Sequence, residues 1–237
     1  MPHRVLTIQT VFGNYTFESL GDSVPLLTQT HLNADIDLLN ILHDHGIPFN
    51  YHILVADIEG TDSFFANKFT SGNESEFIYR CQSSASATTD YIKTLNLEYG
   101  DNFFSSTFFD HFGRERFEFF QKQYFDLLLA KYQNDNKFIN KVLSDIIQRS
   151  QMYDRLYSLK NMSVNEKTEF LAVRTMRTMA QYLTLSRLIS ASNPLPIIIN
   201  HETVNNGLFN EGNKYLLEGD KDQQKAIPLI ILKNETK

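Results

Sequence analysis

Three polar clusters stand where apolar runs stop: Thr30-His31-Leu32-Asn33, Asp57-Ile58-Glu59 and Asn200-His201-Glu202. Each offers groups suited to work on an activated carboxyl or a phosphate. Thr30 has a hydroxyl that can orient or accept an acyl group, and His31 a donor for phosphate. Asn33 is expected to open a helix, where free N–H groups and the positive end of the dipole favour an anion. The competing reading is that Thr30 or Asn33 simply caps that helix. Asp57 and Glu59 lie two apart and so share one face of a strand end. Paired carboxylates there can hold an amino group or a metal, or move protons. Alternatively, one caps a turn and the other is solvated. His201 beside Glu202 suits acid–base work with Asn200 as a binding group, and ordinary loop hydrogen bonding is the alternative.

A fourth set lies on a late helix. Arg174, Arg177 and Gln181 recur at helical spacing, with Tyr182 next in sequence. Arg177 suits a ligand phosphate or carboxylate; equally, the Arg pair suits Asp57 or Glu59 as structural partners. His43, His45 and His52 do not make a convincing metal set, because His43 and His45 diverge at a helix end, and no metal is expected. The chain has no Walker loop, Gly-x-Ser-x-Gly elbow or Gly-x-Gly-x-x-Gly fingerprint.

The elements that must position these groups follow from periodicity. Val5–Phe12 and Tyr15–Leu20 read as two strands about Gly13-Asn14, a hairpin at an edge of the sheet or added to it. Val24–Leu27 reads as a short strand ending in the first cluster. The helix after it carries Ile36, Leu38, Leu39, Ile41 and Leu42 and stops at His45-Gly46. A second strand, Tyr51–Ala56, ends in the second cluster. Residues 60–75 read as a loop, and Glu76–Leu95 as a helix with Cys81 in its core. Phe103–Leu159 reads as mostly helical, with a core face of Phe117, Phe120, Tyr124, Leu127 and Leu128. Its second half interleaves Lys137, Lys141, Arg149, Arg155 and Lys160 with Asp135, Asp145 and Asp154. This is a solvated face or, in the sharper reading, a surface for tRNA or phosphate. Ser163 and Glu166 form a capping box. The helix they open runs to about Ile189 with a stripe of Ala172, Met176, Met179 and Leu183, and Asn193-Pro194 closes it. Pro196–Ile199 is a short buried parallel strand ending in the third cluster. Ala226–Leu232 is the last strand.

The expected fold is therefore α/β: a Rossmann-like parallel sheet of about five strands flanked by helices, with a long helical section in the middle. A single domain over residues 1–237 is expected, since 237 residues can bury one large core. The lone cysteine, Cys81, excludes an intramolecular disulfide and a cysteine-built zinc site, and fits a reducing compartment. A net charge of −6 argues against a chain basic all over, while leaving room for a local basic face. No apolar run is long enough to cross a bilayer and the first residues lack a signal-peptide core, so no membrane partner and a cytoplasmic location are expected.

The opening unit resembles the catalytic half of the tyrosyl/tryptophanyl type of class I aminoacyl-tRNA synthetase. His31-Leu32-Asn33-Ala34 stands at its "HIGH"-like turn, Gly46 after its helix, and Ala56-Asp57 at the end of its next strand. In layout the chain is most similar to cyclodipeptide synthases, which share that core. Their Ser-x-x-Asn turn resembles Thr30-His31-Leu32-Asn33, with Thr in place of Ser. Their Tyr-x-x-x-Glu helix resembles the segment from Tyr182, with Ser186 at the Glu position. Their Tyr-His strand end resembles Asn200-His201. The resemblance implies a transferase or ligase-type enzyme of secondary metabolism acting on an aminoacyl group, with aminoacyl-tRNA as donor. In that frame Thr30, Tyr182, His201 and Glu202 are catalytic. His31, Asn33, Asp57, Glu59, Arg177 and Asn200 bind substrate. No cofactor is needed if aminoacyl-tRNA is the substrate; ATP with Mg enters if activation occurs on the protein. Two alternatives stand beside it: an adenine-nucleotide-dependent small-molecule enzyme, and a non-catalytic ligand-binding protein of the same fold.

Overall fold

The structure, a computed structural model, describes residues 5–12, 26–55, 75, 79, 83, 86, 90, 102–156, 162–202 and 229–233. At 10–12, 26–31, 148–156, 200–202 and 229–233 it describes the backbone. Five strands form one sheet: β1 (Leu6–Phe12), β2 (Phe49–Val55), β3 (Phe103–Thr107), β4 (Ile197–Glu202) and β5 (Leu229–Lys233). Their order is β3-β2-β1-β4-β5, and every pairing is parallel. This is the expected Rossmann-like sheet, though one strand arises where the sequence suggested helix and another takes a different place in the order.

β1, expected at an edge or as an addition to the sheet, is instead the central strand, bonded to β2 on one side and β4 on the other. Ile8 and Gln9 are buried as a result. The remainder of the expected hairpin, Gly13-Asn14 and Tyr15–Leu20, lies outside the described residues. β3 was read as the start of a helix. Phe-Phe-Ser-Ser-Thr instead completes a five-residue ladder with β2, where Phe103 meets the Tyr51 ring at 5.4 Å and Phe104 stacks on His52 at 4.4 Å. Cross-strand ring contacts of this kind favour the pleated conformation over local helix.

The Val24–Leu27 run is not a strand as far as it is described: helix α1 (Leu26–Asp44) already includes Leu26 and Leu27. A short apolar run is ambiguous by itself, and here a helical phase continues it through Leu32, Ile36, Leu39 and Leu42. Leu32 and Leu39 are buried, and Ile41, expected in the stripe, is more than half exposed. The helix ends as expected at Gly46, whose φ of 64° is the left-handed conformation that glycine tolerates. Gly46 N–H donates to His43 O and Ile47 N–H to Leu42 O, each at 2.9 Å, which is a Schellman close.

The described residues group into two compact units. The first comprises Met1–Gly113, Ser192–Val204 and Ile227–Lys237 and holds the sheet. Ile8, Phe49, Tyr51, Ile53, Val55 and Ile199 face Leu32 and Leu39 of α1 in one apolar cluster. Full burial of such side chains is worth about 1.5–3 kcal/mol each. Residues of opposite parity, including Gln9, His52, Phe104 and Ser106, lie on the other face. Helix α2 (Phe108–Phe112) follows β3 directly and packs on β2 and β3.

The second unit comprises Arg114–Ala191 and Asn205–Ala226 and is the expected long helical section. Its helices are α3 (Arg114–Asn134), α4 (Asn136–Leu156) and α5 (Val164–Ser190), and α5 packs on both others. Phe117 and Leu128 of α3 are buried as expected, while Leu127 is 65% exposed, one residue off the stripe. Arg177 and Arg187 of α5 lie over the rings of Phe125 and Phe120 at 5.1 and 4.1 Å, cation–π contacts that tie α5 to α3. Lys122–Asp126, Arg114–Glu118 and Lys131–Asp135 are exposed pairs one helical turn apart, which add little stability.

The capping box opens α5 as read: Ser163 N–H donates to Glu166 Oε2 at 2.9 Å, and Glu166 N–H to Ser163 Oγ at 3.4 Å. Ser163→Ala is expected to destabilise the protein by about 1 kcal/mol in urea unfolding, leaving the unfolding slope unchanged. Positions 75, 79, 83, 86 and 90 are helical, in line with the expected helix there; Cys81 is outside the described residues.

Candidate functional site

In this strand order the chain steps outward from β1 to β2 and β3, then returns to the other side of β1 for β4 and β5. The carboxyl ends of β1 and β4 therefore flank the reversal, the position where open α/β sheets bind ligands. The ladder strengthens this. β1 pairs with β4 from Ile8–Ile197 to Thr10–Ile199, whereas β1 continues two residues further, to Phe12, and β4 three, to Glu202. The two strands thus part at their carboxyl ends.

Asn200, His201 and Glu202 occupy that diverging end of β4. They were expected directly after the apolar strand, at its carboxyl end, and are the strand's last three residues, paired with Ile231, Leu232 and Lys233 of β5. Asp57 and Glu59, which follow β2, lie outside the described residues. Thr30, His31 and Asn33 are placed differently from expectation. They are the fifth, sixth and eighth residues of α1, past the four N-terminal N–H groups that lack helical partners. The strand-to-helix turn that made them an anion site does not occur there. Arg177 and Tyr182 are half-buried on α5, with Arg177 against Phe125. Ser186, one turn beyond Tyr182, is buried.

His43, His45 and His52 do not form a cluster. His43 pairs with neighbouring Asp44 at 3.6 Å, and His45 Nδ1 bonds the Ile41 carbonyl at 2.8 Å at the end of α1. His52 is buried in mid-sheet. Among the described residues no group of three His, Cys, Asp or Glu could hold a metal.

His52 belongs to a constellation that residue spacing did not disclose. Its Nε2 lies 2.8 Å from Ser106 Oγ on β3, and its Nδ1 lies 3.3 Å from Gln9 Nε2 on β1. The Phe104 ring stacks on the imidazole, and the His111 ring of α2 meets it edge-on at 4.5 Å. Burial, and then the charge of His111, lowers the His52 pKa to about 4, so its ring is neutral near pH 7. Burial also lowers the pKa of His111. On the opposite face Tyr51 Oη donates to buried Asp35 Oδ2 of α1. Gln9, Asp35, Ser106 and His111 were all missed as partners. Once 103–107 is recognised as a strand, the register aligns Gln9, His52 and Phe104 across β1, β2 and β3, with Ser106 two residues further on the same face. A polar residue within an apolar strand, such as Gln9 or His52, is the sequence signal that could have prompted the search.

With the geometry in hand, the class is clear: a Rossmann-type α/β protein with a parallel sheet. Among solved structures, a cyclodipeptide synthase (CDPS) from Fluoribacter dumoffii is similar over 95% of this chain and 89% of its own, with a TM-score of 0.50 and 10% identity. The chain thus shares a fold with that synthase. No protein-family model and no curated protein matches the sequence. No helix among the described residues is long and apolar enough to cross a membrane.

Proposed function

We propose that this protein is an aminoacyl transferase of the synthetase-like class that takes its acyl group from aminoacyl-tRNA. The observation that carries the reading is the parting of β1 and β4 at the reversal of strand order, with Asn200, His201 and Glu202 along one lip. His201 and Glu202 serve there as proton carriers, and Asn200 orients the substrate. Asp57 and Glu59, next in sequence after β2, hold the substrate's amino group. The fold shared with a cyclodipeptide synthase supports the choice of acyl donor. Thr30, His31 and Asn33 have no part in the proposal, because helix α1 already encloses them.

The test is to incubate the purified protein with a mixture of charged tRNAs and follow loss of the aminoacyl ester and appearance of new amide products by mass spectrometry. Turnover is expected, and His201→Ala should lower it ~10²-fold or more with an unchanged melting temperature, the usual scale for a lost acid–base group. Ester loss no faster than in a protein-free control would overturn the reading.

A further inference from the structure

The ladder between β4 and β5 changes character at its carboxyl end, next to the proposed site. It runs Ile198–Leu229, Ile199–Ile230, Asn200–Ile231, His201–Leu232 and Glu202–Lys233, and only the last pair joins two charged residues. We propose that Lys233 is a positioning residue that holds Glu202 as the proton acceptor of the site at the β1–β4 reversal. The part that Glu202 plays rests on the function proposed above; its pairing with Lys233 does not.

Three features of the backbone and sequence converge on this pair. Lys233 is the only polar residue of β5, which otherwise reads Leu-Ile-Ile-Leu. Glu202 is the last residue of β4 and lies three beyond Ile199, where the ladder with β1 stops. Among the described residues β5 is therefore the strand that supplies Glu202 with a register partner. Finally, register partners of a parallel pair share a face at one strand spacing, about 4.8 Å. A carboxylate and an ammonium on a flexible four-carbon stem can bridge that separation.

The charge decides the role. A nearby cation favours the ionised form of a carboxylate. An ionised carboxylate accepts hydrogen bonds and protons and has no proton to give. Glu202 is then the acceptor. Successive residues of a strand alternate between faces, so His201 does not share this neighbour, and its own register partner is Leu232. The two proton carriers thereby receive different surroundings, and the donor role falls to His201.

A lysine on an edge strand also discourages pairing with other chains, and β5 is last in the sheet order. A cation anywhere along β5 would serve that duty, and Glu202 would be indifferent to it. The cation instead occupies the one position of β5 in register with a carboxylate, which favours the positioning role.

The test follows the Glu202 carboxyl carbon by NMR across pH in the 13C-glutamate-labelled full chain, with the signal assigned by Glu202→Gln. In Lys233→Met the carboxylate is expected to take its proton at a higher pH than in wild type. Lys233→Arg, which keeps the charge, should titrate as wild type does, and Lys233→Gln gives the same comparison as Lys233→Met with a polar neutral side chain. With charged tRNA, Lys233→Met is expected to lower kcat roughly tenfold with KM unchanged, less than the ~10²-fold of an acid–base group removed outright. It should also move the acid limb of the pH profile upward, and Lys233→Arg should restore both. Identical titrations in wild type and the neutral variants would overturn the proposal. So would an active enzyme whose kcat and acid limb do not respond to Lys233→Met. A displaced titration in a protein that never consumes charged tRNA would uphold the pairing and refute the transferase reading. Turnover that needs Glu202 and not Lys233 would do the reverse.

Discussion

Lowering the pH from 7 to 4 is expected to remove roughly 3 kcal/mol of folding stability through His52, at about 1.4 kcal/mol for each unit by which the pKa moves. The cause is burial: the ring lies in the sheet with 2% exposure, and a proton there would be poorly solvated and close to His111. The sign follows from the two pKa values. The unfolded chain takes up the proton below 6.5, and the folded chain resists it until about 4. Between those values the unfolded state binds more protons, so acid favours unfolding. The contribution is complete above 6.5, declines through the interval and is gone below about 4. His111, also lowered by burial, acts in the same direction. Against a total stability of about 5–15 kcal/mol the loss is large. It is measured by urea unfolding of wild type and His52→Gln across this range. Because carboxylates contribute their own acid dependence, the informative quantity is the difference between the two proteins, which should shrink by roughly 3 kcal/mol toward pH 4. A constant difference would show that His52 takes its proton as readily when folded.

Tyr51→Phe is expected to destabilise the protein by about 1–3 kcal/mol although it removes a single oxygen, because the hydrogen bond it deletes ends on a fully buried acceptor. Tyr51 and Asp35 are both fully buried where α1 crosses the sheet, and the phenol donates to the carboxylate. Phenylalanine keeps the ring and its contact with Phe103, so the loss isolates the hydroxyl. The carboxyl group then loses this donor at a place from which water is excluded. The double variant Tyr51→Phe/Asp35→Asn should lose less than the sum of its single variants, since the first change removes the bond that the second weakens. Urea unfolding of the four proteins gives the coupling. A Tyr51→Phe cost below about 0.5 kcal/mol, the level of an ordinary surface change, would refute it.

Local signals were reliable where the physics is local. The capping box at Ser163 and Glu166 needs only four consecutive residues, and the Schellman close at Gly46 only a helix end and a glycine; both are present. The long helices of the second unit were legible in the same way, because a core-facing helix repeats its apolar stripe over many turns. Short apolar runs were not. Leu26-Leu27 and Phe103–Thr107 are each compatible with helix or strand in isolation, and each took the opposite form from its reading. A strand's hydrogen bonds belong to another part of the chain, so its identity depends on a partner that the local residues do not specify.

The candidate site divides along the same line. The sequence by itself determined the class of fold, the apolar strand that leads to Asn200-His201-Glu202, the close of α1 at Gly46 and the start of α5 at Ser163. Tertiary structure decided that β1 is central, that β1 and β4 part beyond Thr10 and Ile199, and that Gln9, His52 and Ser106 meet. Those three residues are separated by 43 and 54 positions and come together only through parallel register. Parallel pairing joins segments distant in the chain, and shifting a strand by one residue turns every side chain to the other face. Composition and periodicity supply most of the strands; β3 and the alignment of all five come only from tertiary pairing.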